Sequence, residues 1–464
     1  MGGGASSLLL NPFTEERLYE LIDASPEVVE DAVLSAFAAY RASRHATPAQ
    51  RSAWLERCAD ALRSDLDLLV DLIVSDIGKP RRVARGEVQR SIAFMRLCAA
   101  QLLFLEDSAP QFEAVANGKD HLGFTRRTPY GVVAAVTPFN APMNLLMQKV
   151  APALAAGNAV VVKPHPAGSR VAVRAAMLFA KAGLPAGLFN VVTGDRQPAA
   201  QLAAHRQVRV VTFTGGQVAA DALVRAAGAK KFLAELGSNS ANVVLKDADC
   251  KDAAARIAAA GFEASGQQCV SAQRVIVEHA VSEEFIAAFV AATAALKVGD
   301  PDDEATDVGP VVSRAAADRI EQLLEDTIAS GARYLLQPRR SGCLISPAII
   351  GGADQSSPLW CHEVFGPAVT VHVADDADHA LTLANDSPFG LQGALFTNNL
   401  DEMLRFSRDF EVGSLWVNEP SRFRLDMLPF GGVKQSGYGR EGVRHAIEEL
   451  SQITVTGIRM RKPG

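Results

Sequence analysis

Three side chains that could act on a carbonyl group lie beside predicted strands. Cys269 lies in the segment GQQCVS, Glu235 opens ELGSNS, and Asn140 lies in TPFNAP. A cysteine thiolate is a strong nucleophile, and a carboxylate with a raised pKa can act as a general base. A rigidly held amide can donate a hydrogen bond to a developing oxyanion. These residues are therefore the candidate nucleophile, base and oxyanion donor.

Each of the three also has an ordinary structural explanation, which is favoured when the residue is considered alone. Cysteine is among the most often buried residue types, so Cys269 could belong to the core. Glu235 could form a surface ion pair at a strand end. Asn140 lies between two prolines and could form a turn.

Glycine-rich segments offer a second kind of site. GNAVVVKP at 157–164 ends a predicted strand with Lys163, and FTGG at 213–216 joins a strand to a helix. Such junctions can hold the two halves of a dinucleotide. They could equally be tight turns, since no G-x-G-x-x-G fingerprint occurs there. HEVFGP and PFGGVKQSGYGRE are, by themselves, consistent with surface loops.

Composition narrows the class of protein. The 464 residues are 48% hydrophobic and 21% charged, with a formal net charge of −6. This is typical of a globular protein of about two or three domains, and nucleic acid is not expected as a partner. The six cysteines include no C-x-x-C pair, so we expect no metal site and a reducing, cytoplasmic location. We expect neither a signal peptide nor a membrane span.

Hydrophobic periodicity predicts the elements that must position these residues. The first hundred residues predict helices over 27–42, 48–77 and 87–105. Strands and helices then alternate from 131 to 236, and a second α/β series follows from 242 to 458. This alternation predicts parallel sheets covered by helices on both faces, with a boundary near 237–240.

Eight segments in this order resemble the aldehyde dehydrogenase superfamily over nearly the whole chain. They are PFN, GNAVVVKP, FTGG, ELGSNS, GQQC, EVFGP, WVN and PFGGVKQSGYGRE, and Cys269 follows Glu235 by 34 residues, as in the family. The resemblance implies an α/β fold with a Rossmann-like cofactor domain, an α/β catalytic domain and a small β oligomerisation arm. The expected ranges are 1–110 with 128–237, 238–440, and 111–127 with 441–464.

The resemblance also implies a mechanism. Cys269 would attack an aldehyde to give a thiohemiacetal, whose oxyanion would be held by Asn140 and by the backbone N–H of Cys269. Oxidation would leave a thioester that Glu235 hydrolyses by activating water. Glu441, in the segment GRE, would relay protons from Glu235.

The implied cofactor is NAD or NADP. Glu363 would bind the nicotinamide ribose, Phe365 would pack near the nicotinamide ring, and Lys163 would bind the adenine ribose. Members that prefer NAD often carry a glutamate where this chain has Pro166, so we expect NADP to be tolerated or preferred. The other residues expected at the cofactor are Thr137, Pro138, Phe139, His165, Gly194, Gly215, Gly216, Leu236 and Gly237.

The expected substrate is a small polar or anionic aldehyde, because FRLDMLPFGG resembles the semialdehyde, lactaldehyde and phosphonoacetaldehyde branches. Arg422 either binds a substrate anion or only shapes its loop, and Arg424 is expected to pair with Asp426 or Glu419. The residues expected near the substrate are Asn144, Gln148, Gln268, Val270, Arg422 and Phe430.

Three other activities stay open. Glu235 favours hydrolysis, although release of the acyl group to coenzyme A is an alternative. Aromatic or aliphatic aldehydes are alternative substrates. A binding protein without catalysis is disfavoured by the joint presence of Cys269, Glu235 and Asn140.

The C-terminal segment 442–458 resembles the oligomerisation tail of the family. With 111–127 it would form an arm that adds strands to a neighbouring subunit, giving a homodimer or homotetramer. The N-terminus enters almost at once into NPFTEE, so we expect an early strand or hairpin to be missing.

Overall fold

The structure is a computed structural model that describes residues 6–461. Residues 1–5 of the expected cofactor domain and 462–464 of the expected arm lie outside this range. Two helix-covered sheets and a two-stranded ribbon carry the fold. No helix between residues 6 and 461 is both long enough and apolar enough to cross a membrane.

The N-terminal part is a hairpin followed by helices. Its elements are β1 (Ser6–Leu10), β2 (Arg17–Ile22), α1 (Pro26–Ser43), α2 (Pro48–Ser64), α3 (Leu66–Ile77) and α4 (Arg81–Gln101). The expectation that an early hairpin is missing is wrong, because β1 and β2 pair antiparallel. The single helix predicted over 48–77 is also wrong. Asp65 leaves helical geometry there, and its carboxylate accepts two hydrogen bonds of 2.6 Å from Arg174.

The first sheet follows the alternation predicted from the sequence. Its parallel order is β8-β7-β4-β5-β6, and β4 and β5 are buried along their whole length. Runs of valine and alanine suit strands that are covered on both faces. The strand β3 (His121–Pro129) precedes this sheet and is not part of it. The strands of the sheet and their connecting helices are β4 (Val132–Thr137), α5 (Asn144–Ala155), β5 (Ala159–Pro164), α6 (Ser169–Lys181), β6 (Phe189–Val191), α7 (Arg196–Ala204), β7 (Val208–Thr214), α8 (Gln217–Ala227) and β8 (Lys231–Glu235).

The second sheet has the order β11-β14-β15-β10-β9-β17-β18, with β11 as an antiparallel edge and the other neighbours parallel. Its edge strand β11 and the helix α14 are not predicted from the sequence. The elements are β9 (Ala241–Val244), α9 (Cys250–Phe262), β10 (Arg274–Glu278), α10 (Ser282–Ala294), α11 (Arg314–Ala329), β11 (Arg333–Leu336), β12 (Arg340–Ser341), β13 (Leu344–Ile345), β14 (Ala348–Gly351), α12 (Pro358–Cys361), β15 (Ala368–Ala374), α13 (Ala377–Asn385), β16 (Phe389–Gly390), β17 (Gln392–Phe396), α14 (Leu400–Asp409) and β18 (Ser414–Val417).

The C-terminal segment returns to the first sheet. It contains β19 (Val433–Lys434), β20 (Gly437–Tyr438), α15 (Val443–Glu449) and β21 (Ser451–Arg459). β20 adds an antiparallel edge to β8, with Gly437 opposite Glu235. β21 pairs with β3 over its whole length. This ribbon exposes Leu122, Phe124, Ile453, Val455 and Ile458.

The architecture confirms the expected α/β class, with two sheets and a small β arm. Glu235 ends β8 of the first sheet, and Asn140 follows β4 of the same sheet. Cys269 precedes β10 of the second sheet. The candidate site therefore lies where the two sheets meet.

Candidate active site

The turn before Cys269 has an unusual backbone. Ala264, Ser265 and Gly266 have φ values of 51°, 59° and 66°, so three consecutive residues are left-handed. Non-glycine residues adopt this conformation at a cost, which the surrounding contacts must offset. The Ser265 hydroxyl donates to the carbonyl of Gly309 at 2.7 Å. A Cβ at position 266 would lie 2.1 Å from the carbonyl oxygen of Gly366, so only glycine fits there.

Cys269 is partly exposed at the end of this turn. It packs against a small apolar cluster formed by Val270, Leu391 and Phe430. Burial, together with the Glu363 carboxylate, raises the pKa of the thiol to about 12 against the opposing charge of Arg424. The group is therefore a thiol at neutral pH in this structure.

Asn140 lies against the same turn. Its amide Nδ2 donates to the carbonyl of Gln267 at 2.9 Å, two residues before Cys269. The amide carries two hydrogens, so one N–H stays available for a second acceptor. The structure thus brings Asn140 and Cys269, which are distant in the sequence, to one side of the cleft.

Glu87 on α4 holds the segment that follows Asn140. Its Oε1 accepts hydrogen bonds from the backbone N–H groups of Met143 and Asn144 at 2.8 and 3.1 Å. Its Oε2 forms a buried ion pair with Lys79. The role of Glu87 could not be predicted from the sequence, because a carboxylate within a helical pattern gives no sign that it contacts another helix.

Glu235 is buried at the end of β8. Its Oε2 has no hydrogen-bond partner within residues 6–461. Burial raises its pKa well above the ordinary value, and the Glu441 carboxylate adds to the rise. The charges of Lys149 and Arg424 oppose these effects without cancelling them.

Glu441 lies between two cations. It accepts from Lys149 Nζ at 3.2 Å and from Arg424 Nη2 at 3.1 Å. Lys149 also donates to the hydroxyl of Thr212 at 3.1 Å. A cavity of about 10 Å³ borders both Glu235 and Glu441, which is about the space that one water molecule needs.

Arg424 extends this network toward the surface. Its guanidinium lies 3.6 Å above the ring of Phe430 and bonds to the side chain of Gln148. Its Nε lies 3.5 Å from Asp426, in agreement with the expected pairing. Asp426 also accepts two hydrogen bonds from Arg90, at 2.8 and 2.6 Å. Arg90 on α4 is 38% exposed, and the sequence analysis missed it.

The other residues expected near the substrate form two sets of contacts. Gln148 donates to Asp426 at 3.0 Å, and the side-chain oxygen of Asn144 is buried without a partner within 6–461. Arg422 forms an ion pair with Glu263 and donates to Gln268 at 3.0 Å. Its charge is therefore matched one to one by a neighbouring carboxylate.

The residues expected at the nicotinamide end of the cofactor also come together. Oε1 of Glu363 accepts from the backbone N–H of Ser238 at 3.0 Å, and its Oε2 would lie 2.5 Å from a Cβ at Gly237. Burial raises the pKa of Glu363 to about 7. Phe139 makes an edge contact with Phe365, with ring centroids 5.8 Å apart.

The residues expected at the adenosine end follow β5. Lys163 Nζ donates to the carbonyl of Gly194 at 3.2 Å. His165 lies 5.2 Å from the ring of Phe139, and burial together with the charge of Lys163 lowers its pKa to about 4. His165 is therefore neutral at physiological pH. The backbone N–H of His165 donates to the carbonyl of Thr137 at 2.9 Å, which links β4 to this segment.

The segment FTGG leads into α8. Gly216 is the N-cap of this helix and has no side chain, and a Cβ there would meet no atom of the described residues within 4 Å. Gly215 donates its backbone N–H to the carbonyl of Glu235 at 3.1 Å, and Leu236 donates to Ser436 at 3.0 Å. The open helix N-terminus offers free N–H groups to an anion.

Comparison with known proteins gives a family and close structural neighbours. The sequence profile described as "Aldehyde dehydrogenase family" matches residues 4–456. A 3-sulfolactaldehyde dehydrogenase of Priestia aryabhattai is 37% identical over 445 residues, covering 96% of this chain and 93% of its own. The NADP complex of the NADP-dependent glyceraldehyde-3-phosphate dehydrogenase of Bacillus halodurans superposes with a TM-score of 0.96 at 32% identity, over 99% of this chain and 96% of that one. An NAD-dependent aldehyde dehydrogenase of Sinorhizobium meliloti gives a TM-score of 0.95 at 30% identity, over 100% and 93%.

Replacing Glu87 by glutamine tests the support of the Asn140 segment. Lys79 would keep a buried charge without its partner, so we expect Glu87→Gln to lower the free energy of unfolding by about 3 kcal/mol, measured by urea denaturation. Glu56 is a matched control, because its carboxylate is exposed and lies 3.5 Å from Arg96. Glu56→Gln should change stability by less than about 0.5 kcal/mol. Equal effects of the two substitutions would contradict the assignment.

Proposed function

The chain belongs to the aldehyde dehydrogenase family, and we propose that it oxidises a small anionic or polar aldehyde to its carboxylic acid through an acyl-enzyme on Cys269. The enzyme class and the use of NAD or NADP follow from the family and its neighbours. Two observations support the proposed mechanism. The Asn140 amide contacts the carbonyl of Gln267, two residues before Cys269, and the Glu235 carboxylate is close enough to Cys269 to raise the pKa of its thiol.

In the first step the Cys269 sulfur attacks the aldehyde carbon and a C–S bond forms. The thiol is partly exposed, so its proton leaves to solvent. The carbonyl oxygen becomes an oxyanion, which accepts hydrogen bonds from the second N–H of the Asn140 amide and from the backbone N–H of Cys269. Such preorganised donors typically contribute about 10²–10³-fold to the rate.

The residues of the cleft fit a dinucleotide. A Cβ at Gly237 would collide with the Glu363 carboxylate, whereas the space beside Gly216 at the start of α8 is open. Glu363 would hold the nicotinamide ribose, the open N-terminus of α8 the pyrophosphate, and Lys163 the adenine ribose. When bound, the nicotinamide supplies the hydride acceptor that turns the thiohemiacetal into a thioester.

In the second step Glu235 removes a proton from water, and the resulting hydroxide attacks the thioester carbon. The C–S bond breaks, the Cys269 thiolate is restored and a carboxylic acid leaves. The raised pKa of Glu235 suits a general base that works near neutral pH. Its proton then passes through the small cavity to Glu441, whose charge is balanced by Lys149 and Arg424.

The substrate class follows from the charges beside this cleft. Arg90, Arg424 and Lys149 stand against three carboxyl groups, those of Asp426, Glu441 and Glu235, and Arg90 also lies near Glu87. Arg90 is the most exposed of the three cations, with 38% of its side chain exposed, and a substrate anion would bind there. Two of the proteins compared above, the 3-sulfolactaldehyde dehydrogenase and the glyceraldehyde-3-phosphate dehydrogenase, have names that refer to aldehydes with a sulfonate or a phosphate. We therefore favour Arg90 and Arg424 over Arg422 as partners of the substrate anion.

The proposal includes a homodimer or homotetramer built through the β3–β21 ribbon. Within residues 6–461 no third strand joins this ribbon, and β3 has one further bridge, between Thr125 and Ser108. The exposed apolar side chains of the ribbon would be covered by a second subunit. Unpaired edges of this kind favour pairing with another chain.

Glu235→Gln separates the two chemical steps. The variant keeps the nucleophile and the oxyanion donors, so mixing it with succinic semialdehyde and NAD should release about one reduced nicotinamide per active site. Steady turnover should then be lower than that of the wild type by about 10²–10⁴-fold, because water is no longer activated. The measurement is the absorbance of reduced nicotinamide after rapid mixing.

Cys269→Ala is the matched control, which should give no first turnover. Loss of the first turnover in Glu235→Gln, with the fold intact, would contradict the assigned order of steps. Product analysis of the wild type in the presence of coenzyme A completes the test. Free succinate supports hydrolysis, and succinyl-coenzyme A would support the acylating alternative.

Arg90→Met tests the substrate class. Loss of a charge-assisted hydrogen bond should raise the KM for succinic semialdehyde about tenfold. The KM for neutral lactaldehyde should change by less than about twofold, since only the anion is recognised there. Arg96→Met is a suitable control, because Arg96 lies on the same helix and pairs instead with Asp60. Equal losses for both aldehydes would contradict an anion site at Arg90.

A further inference from the structure

Two acidic residues from different elements meet beside Lys163. Asp23 follows β2, and its Oδ1 accepts the backbone N–H of Asp195 at 3.2 Å. Asp195 itself follows Gly194, whose carbonyl accepts from Lys163 Nζ. The backbone N–H of Ala24 donates to the carbonyl of Thr193 at 3.0 Å, which fixes the two segments together. The acidic pair is therefore built into the fold.

Both charged groups that act on Lys163 are acidic. Burial lowers the pKa of Lys163 to about 8, and the carboxylates of Asp195 and Asp23 are close enough to oppose that effect. His165, the other basic group beside Lys163, is neutral because its pKa is about 4. Among the groups that act on Lys163, one ammonium group thus stands against two carboxylates, while Arg196 follows Asp195 in the chain.

We propose that Asp195, held in place by Asp23, selects a dinucleotide with a free ribose 2′-hydroxyl over one with a 2′-phosphate. A carboxylate can accept a hydrogen bond from a ribose hydroxyl, whereas it repels a phosphate. The inference rests on the proposed function, which places the adenine ribose at Lys163. Pro166 stands where members that prefer NAD often have a glutamate, and it led to the expectation that NADP is tolerated or preferred. The proposal reverses that expectation, because the carboxylate of Asp195 takes the place of the missing glutamate.

A competing cation stands next to this pair. Arg196 begins α7 directly after Asp195 and is exposed. A nearby arginine can accommodate a 2′-phosphate, so a test of the proposal must separate Arg196 from Asp195.

Calorimetric titration of the full chain with two nucleotides isolates the ribose. AMP and adenosine 2′,5′-bisphosphate differ only by the 2′-phosphate, and their binding does not depend on turnover. The wild type should bind AMP at least about tenfold more tightly. Asp195→Asn should reduce this preference about tenfold, since one negative charge is removed. Glu304→Gln removes an exposed carboxylate elsewhere and should leave the preference unchanged.

Three results would overturn the selection by Asp195. They are equal or tighter binding of the bisphosphate to the wild type, an unchanged preference in Asp195→Asn, and selective loss of the bisphosphate in Arg196→Gln. If AMP failed to bind an enzyme that still oxidises aldehydes, the assignment of the adenine ribose to the site at Lys163 would be wrong. That result would overturn the proposed cofactor site as well.

Discussion

The active site depends on the buried carboxyl group of Glu235, one of whose oxygens has no hydrogen-bond partner among residues 6–461. A buried charge of this kind is costly unless neighbouring groups compensate for it. The compensation for Glu235 comes from Lys149 on α5 and from Arg424, and both of these cations also bind Glu441. The position of the base is thus set by four segments that are far apart in the sequence. Because one oxygen of Glu235 accepts no hydrogen bond from residues 6–461, that oxygen is available to take a proton from water.

The meeting of the two sheets is the second requirement. Glu235 is fixed to the first sheet and to Gly437 opposite it. Cys269 belongs to the second sheet, and Ser421 secures it there by donating to the carbonyl of Val270 at 3.0 Å. Asn140 crosses between them through its bond to Gln267. The nucleophile, base and oxyanion donor therefore keep their spacing only while the two sheets stay in contact.

Much of the fold and the centre of the candidate site could be predicted from the sequence. The strands β4 and β5 carry continuous apolar runs, and the motifs around Cys269 and Glu235 lie at fixed spacing. The roles of Glu87 and Arg90 could not be predicted, because their partners lie on other elements and a helical pattern does not show which distant residues a side chain contacts. The break at Asp65 has the same cause, since it depends on Arg174. His165 illustrates a further limit, because only burial shows that the ring is uncharged.

The rate of thioester hydrolysis as a function of pH tests the central claim most directly. The acyl-enzyme would be formed by rapid mixing with aldehyde and cofactor, and its decay followed as carboxylic acid release. Burial raises the pKa of Glu235, so the account predicts that the hydrolysis rate increases with pH and that the midpoint of this increase lies well above the ordinary carboxyl pKa near 4.5. The increase should be absent in Glu235→Gln. A midpoint at the ordinary value, or an increase that persists in the variant, would contradict it.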